Sequence, residues 1–202
     1  MITIVNYGMG NLGSMLNMFK RIGVKAAIES DPDLIRRAEK LVLPGVGAFD
    51  TAMTCINGVP GLLEVLNHKA LLEHTPVLGV CLGMQLLTRS SEEGKLPGLG
   101  WIPGSTVRFP KQEGLKVPHM GWNVALPNTP SRLTAQMGDE PRYYFVHSYC
   151  VYVDDPSHSL MKTHYGIKFD SAIGHDNIYG VQFHPEKSHR FGMQILKNFA
   201  EL

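Results

Sequence analysis

The chain is poor in cysteine, with only Cys55, Cys81 and Cys150 among 202 residues. So sparse and odd a count excludes a disulfide framework and fits a reduced, cytoplasmic setting. No C-x-x-C pair or H-E-x-x-H stretch occurs, and the nine histidines show no ligand spacing. Neither a metal nor another cofactor is therefore expected. An excess of one charge sign is also missing, since 19 basic and 18 acidic side chains leave a formal net charge of +1. That balance removes the electrostatic case for nucleic acid or an anionic membrane surface. No run approaches the ~18 apolar residues of a membrane span. The opening Met1-Ile-Thr-Ile-Val-Asn6 lacks the basic and long apolar regions of a signal peptide and reads as a strand. A small molecule or another protein is the partner these absences leave.

Hydrophobic residues make up 44% of the chain and charged residues 18%. This is ample for one buried core, and one domain over residues 1–202 is expected. The first half alternates. Strands are expected at Ile2–Asn6, Lys25–Glu29, Lys40–Leu43 and Pro76–Val80. Between them, Leu12, Met15, Phe19 and Ile22 recur at helical spacing, Asp31-Pro32 opens a short helix through Ala38, and Leu62 to Leu71 carries another helical stripe. This β-α-β-α order predicts an α/β fold, a mostly parallel sheet with helices on both faces. The second half is rich in Gly, Pro and β-formers. Strands are expected at Thr106–Phe109, Tyr143–Val153, Lys168–Ile173 and Tyr179–Phe183, extending the same sheet, with a last helix from about Ser188 to Phe199.

The most telling segment is Pro76-Val-Leu-Gly-Val-Cys81-Leu-Gly-Met-Gln85. An apolar strand runs into a small-residue turn that opens a helix, and Gly79-x-Cys81-x-Gly83 has the form of a nucleophile elbow with Cys in place of Ser. Such a turn needs glycine on both sides because the backbone crowds itself. It places the thiol at a helix N-terminus, where N–H groups favour a thiolate. A lone Cys is more often a small buried hydrophobe. The glycine-flanked context reverses that preference.

A second strand, Tyr179-Gly-Val-Gln-Phe-His184-Pro-Glu186, delivers a histidine at its C-terminal end. Chemistry gathers at such ends in parallel sheets. His184 can act as general base to Cys81, with Glu186 orienting the ring across the stiff Pro185. Acyl chemistry also needs an oxyanion hole. The Leu82 amide, next to the nucleophile, is one candidate donor, and the glycine-flanked Val46-Gly47 peptide is the other. A competing motif is Gly8-Met-Gly10-Asn-Leu-Gly13, which fits the G-x-G-x-x-G dinucleotide pattern, with Glu29 or Asp31 downstream. It would make the chain a nucleotide-binding protein, but leaves Cys81 and His184-Pro-Glu186 without a role and shows no second nucleotide-binding half. Pro118-His-Met-Gly-Trp-Asn123 and Tyr143-Tyr-Phe-Val-His-Ser-Tyr149 do not reveal their roles from spacing alone.

Taken together, these segments resemble the class I (triad) glutamine amidotransferases, and within them the glutaminase subunits of imidazole glycerol phosphate synthases. The resemblance spans essentially the whole chain. It implies a flavodoxin-like fold and a Cys81–His184–Glu186 triad that hydrolyses glutamine to glutamate and ammonia. It places Gly47, Gln85, Ser148 and Tyr149 at positions that hold glutamine. It also implies a (β/α)8-barrel cyclase partner, with Asn11, Trp122, Tyr144 and Lys187 near the interface, and a backbone flip at Val46-Gly47 that completes the oxyanion hole. Asn6 stands where the family usually has Asp, Gly13 departs from its pattern, and the tail reads Lys187-Ser-His189-Arg-Phe-Gly-Met. These details resemble a paralogous branch whose ammonia serves a surface-polysaccharide sugar.

Overall fold

The computed structural model describes residues 1–202. The first half winds as β1 (Ile2–Val5), α1 (Leu12–Arg21), β2 (Ala26–Glu29), α2 (Pro32–Ile35), β3 (Lys40–Gly45), α3 (Phe49–Gly58), α4 (Leu62–Asn67), β4 (Val77–Cys81) and α5 (Leu82–Leu86). The four strands lie parallel in the order β2-β1-β3-β4. Helix α3 was not foreseen. Its apolar residues Phe49, Ala52, Met53 and Ile56 do keep helical spacing and are buried. However, its N-cap, Ala48, makes no side-chain cap bond, and glycines precede it. The missing cap comes from far along the chain, where Glu93 Oε2 accepts the Phe49 N–H at 2.9 Å. No local pattern could show this.

The second half supplies β5 (Gly104–Arg108), β6 (His119–Val124), β7 (Leu126–Pro127), β8 (Arg142–His147), β9 (Tyr149–Val153), β10 (Ser159–Tyr165), β11 (Ile167–His175), β12 (Ile178–Val181) and α6 (His189–Ala200). Strand β12 lies parallel to β4, and β11, β10 and β7 follow it antiparallel. The expected elaboration of one sheet is largely present, with two corrections. The segment expected as one strand over Tyr143–Val153 breaks at Ser148. Its halves join different sheets, β8 pairing with β6 in a separate ribbon and β9 pairing with β5 and β11. Strands β6 and β10 were also unforeseen, because Pro118, Gly121 and the polar run of β10 dilute their apolar alternation.

The period-two alternation of the strands sorts their side chains into two cores. Ile2, Ile4, Val42, Leu78 and Val80 pack with α1 and α6 through Phe19, Ile195 and Phe199. Val5, Leu41, Leu43 and Val77 pack under the α2–α5 side through Ile35, Met53, Leu66 and Met84. The result is a three-layer flavodoxin-like fold with the inner parallel strands β1, β3 and β4 buried on both faces and the edge strand β2 half-buried. No helix is long and apolar enough to cross a membrane.

Candidate active site

Strand β4 ends on Cys81, whose backbone sits at φ 55° and ψ −110°. A side-chain-bearing residue with positive φ is strained and is held there only by its surroundings. The flanking glycines provide the room. A Cβ on Gly79 would lie 2.6 Å from the Gly83 carbonyl oxygen, and one on Gly83 would lie 1.8 Å from the Leu43 carbonyl oxygen. Backbone packs on backbone at both places, so no rotamer change could relieve a larger residue. The elbow is therefore present as expected. Helix α5 is short, five residues, so the help it gives a thiolate comes from first-turn N–H groups rather than from a long dipole.

His184 arrives from the neighbouring strand. Strand β12 is in register with β4, Val181 opposite Val80, and the chain runs on three residues to the histidine. His184 Nδ1 lies 2.9 Å from Glu186 Oε1, and both side chains are almost fully buried. The carboxylate accepts from Nδ1–H, which leaves Nε2 free of any bond within the chain and available to the Cys81 thiol. Burial alone would weaken this base. The Cys81 and Glu186 groups outweigh burial and hold its pKa well above the ordinary 6.5. The turn is pinned from two sides. Ser188 Oγ–H donates to the His184 carbonyl at 2.6 Å. Tyr144 accepts the His184 N–H at 2.9 Å and gives its own N–H to Ser188 Oγ at 3.0 Å.

Cys81 and His184 open on a cleft of about 330 Å3, and every other residue assigned to glutamine binding or the oxyanion hole lines it: Val46, Gly47, Leu82, Gln85, Ser148 and Tyr149. Gly45 stands opposite Cys81 in the β3–β4 ladder, which brings the Val46-Gly47 peptide beside the thiol. Gly47 has φ +102°, a conformation that favours glycine, and a Cβ there would meet Met9 at 2.9 Å. Gln85 is committed inward: its Nε2 donates to the Tyr149 carbonyl at 3.2 Å and to Gln182 Oε1 at 3.1 Å.

Three residues of the site escaped the sequence reading. Glu93 reaches the cleft from an irregular turn that carried no signal. Gln182 is the one polar residue in the run Gly180-Val-Gln-Phe183, and alternation alone could have marked it. His147, also on the cleft wall, bonds through Nε2 to His119 Nδ1 at 2.9 Å, while its Nδ1 bonds to the Tyr149 carbonyl at 2.7 Å. A carbonyl only accepts, so His147 donates from Nδ1 and accepts at Nε2, and both rings are neutral. Burial lowers the pKa of His147 to about 3 and that of His119 to about 4. Nowhere do His, Cys, Asp and Glu gather into a group that could hold a metal ion.

The four residues assigned to a partner interface fall in two places. Trp122, half-buried Tyr144 and Lys187 form one surface cluster. Trp122 sits edge-on to Tyr144 at 6.2 Å and stacks on His189 at 5.4 Å, and Lys187 Nζ lies 5.7 Å from the Tyr144 ring centre. Asn11 is on another element, where its Oδ1 caps α1. The competing glycine motif does not stand open as a phosphate cradle. Gly10 leans on Pro44, whose carbonyl also accepts the Tyr7 hydroxyl at 2.6 Å. Beyond β12 the sheet turns antiparallel, so the second mononucleotide half is absent.

The glutamine amidotransferase class-I family model matches residues 3–202. The imidazole glycerol phosphate synthase subunit HisH 2 of Methanococcus maripaludis is 53% identical over 201 residues, covering 100% of this chain and 99% of that protein. Its namesake in Pseudomonas aeruginosa is 49% identical over 202 residues, with 100% of both chains covered. Among solved structures, a chain of PurLQS from Thermotoga maritima superposes with a TM-score of 0.74 at 13% identity, covering 99% of this chain and 97% of that one. At that identity the likeness speaks for the fold alone. With the elbow cysteine, the histidine–glutamate pair and a family match along almost its entire length, the chain belongs to the class-I glutamine amidotransferases.

Proposed function

We propose that the chain is the glutaminase subunit of an imidazole glycerol phosphate synthase, working as one unit over residues 1–202. The convergence of Cys81 and His184 on one cleft, with buried Glu186 behind the histidine, carries the reading. His184 Nε2 takes the thiol proton, and Sγ attacks the side-chain carbonyl carbon of glutamine. The Leu82 N–H and an N–H of the Val46-Gly47 turn receive the oxyanion, a contribution worth about 3 kcal/mol per donor. The imidazolium, stabilised by Glu186, returns its proton to the leaving nitrogen, and ammonia departs. Water, deprotonated by His184, then attacks the γ-glutamyl thioester. Glutamate leaves, and the thiol is restored. The Glu93 carboxylate, at the cleft wall, suits the substrate's α-ammonium group, and Ser148 and Tyr149 form the opposite side.

The ammonia is used in a second chain, a (β/α)8-barrel cyclase that docks on the Trp122–Tyr144–Lys187 face beside the cleft. Trp122 and Met120 on this face are large, exposed apolar side chains, as a docking surface requires. Val46-Gly47 flips on docking to complete the oxyanion hole. Glutamate release from glutamine by the purified pair, abolished in Cys81→Ala, tests the chemistry. Undiminished turnover by that variant would sink it. A second reading keeps the chemistry and changes the acceptor to a surface-polysaccharide sugar. It is favoured by Asn6, Gly13 and the His189 tail. Rescue of a histidine auxotroph lacking this subunit separates the two.

A further inference from the structure

Gln182 is fully buried directly after β12, at the same strand parity as Gly180 and His184, facing α5. Its side chain bridges two groups of the site. Its Oε1 accepts from Gln85 Nε2 at 3.1 Å, and its Nε2 lies 3.8 Å from Cys81 Sγ. The orientation of both amides is forced. The Tyr149 carbonyl can only accept, so the nitrogen of Gln85 must face it, at 3.2 Å. The second proton on that nitrogen points at Gln182, whose oxygen must receive it. Inverting Gln182 would set two NH2 groups against each other and turn a carbonyl oxygen toward the sulfur. The Tyr149 carbonyl is itself fixed by its second donor, His147 Nδ1 at 2.7 Å.

We infer that Gln182 is a further catalytic residue, an amide donor held against the Cys81 sulfur that supports the thiolate and fixes the side chain of Gln85. This rests on the glutaminase reading above. A hydrogen bond to an ionised acceptor is stronger than one to a neutral acceptor. The donor therefore favours the thiolate over the thiol, and favours the sulfur as leaving group when the thioester is hydrolysed. The same bridge turns Gln85 so that its nitrogen is consumed inward. Its Oε1, which makes no bond within the chain, is the atom left for the cleft and its ligand. His184 and Tyr7 are the titratable groups that act on Cys81 directly, with His147 and Glu93 on the cleft wall. Gln182 is uncharged and has an N–H to give the sulfur, whereas the His147 N–H is taken by the Tyr149 carbonyl.

The test is the pH profile of Cys81 alkylation by iodoacetamide, measured on the full chain, with Cys81→Ala as the blank. In Gln182→Met, similar in length and without donor or acceptor, the midpoint rises by about one pH unit or more, the shift expected for one lost charge-assisted hydrogen bond. With the partner present, kcat for glutamate release falls at least about tenfold, and KM rises as Gln85 loses its anchor. Should Gln182→Met not fold, side-chain NMR of nitrogen-labelled glutamine in the wild-type chain decides the matter. The Gln182 amide signal moves on Cys81→Ser if the bond exists and stays put if it does not. An unchanged alkylation midpoint in a folded Gln182→Met overturns the assignment and leaves the glutaminase reading intact. Loss of glutamate release from wild type itself would instead strike the underlying function.

Discussion

Glu186→Gln isolates the carboxylate of the proposed triad with almost no change of shape. In the wild type this group lies 2.9 Å from His184 Nδ1, and both side chains are almost fully buried. When the imidazole takes a proton, two opposite charges face each other with centres ~4 Å apart, worth about 4 kcal/mol at an effective dielectric of ~20. Glutamine keeps the volume and removes the charge. The second oxygen of Glu186 is already buried without a partner, so the new amide adds an unsatisfied donor whichever way it turns. With about 1.4 kcal/mol per tenfold, kcat for glutamate release should fall by about a thousandfold. KM should stay near its wild-type value, since Glu186 stands behind His184 and does not line the cleft. The stability profile gives an independent check. His184 has its pKa raised to about 10, so its stabilising contribution is complete below the ordinary 6.5 and is lost as pH rises through the folded value. Glu186→Gln should shrink that alkaline loss, seen as a flatter urea midpoint against pH. A variant within tenfold of wild type in kcat would refute the role given to the carboxylate.

A glutamine-analogue electrophile should label Cys81 and spare Cys150, whose thiol burial pushes up to about 12; mass spectrometry of the labelled peptides reads this, and equal labelling would refute a selectively activated thiol. Gly83→Ala would drive a Cβ to 1.8 Å from the Leu43 carbonyl. Overpacking against fixed backbone costs about 3 kcal/mol or more, and a shift of ~1 Å at the elbow costs about a hundredfold in rate, both measurable on the purified variant. Acid should destabilise the fold through His119 and His147. The unfolded chain takes up protons below the ordinary 6.5 that the buried pair refuses until about 4 and 3. Stability thus falls with pH by up to about 1.4 kcal/mol per unit for each histidine, and His119→Gln should flatten the slope of urea midpoints. Trp122→Ala should leave the melting temperature nearly unchanged, because the residue is 48% exposed. It should weaken partner-stimulated glutamate release, measured by titrating the partner subunit.

What the chain declared openly was local. The elbow is legible because Gly79, Cys81 and Gly83 are adjacent and each answers to a backbone constraint. The parallel half of the sheet is legible because its strands are continuous apolar runs. What stayed hidden depended on partners distant in sequence. Helix α3 is capped by Glu93, and the bonds of Gln182 and His147 become visible only when β12, α5 and β8 are assembled. The break at Ser148 was unreadable for a related reason. Tyr143 to Val153 is strand-forming on both sides of His147-Ser148, and the two halves part because each pairs with a different sheet.

Tyr144 occupies a position with two masters. Its ring belongs to the exposed face with Trp122 and Lys187, while its peptide groups hold the His184–Ser188 turn at both ends. The base of the proposed triad is thus moored to a residue of the surface proposed for docking. On the proposed reading, docking against the ribbon of β6 and β8 bears on that mooring and so on the turn that carries the imidazole. Distance from surface to chemistry in this protein is a single peptide unit.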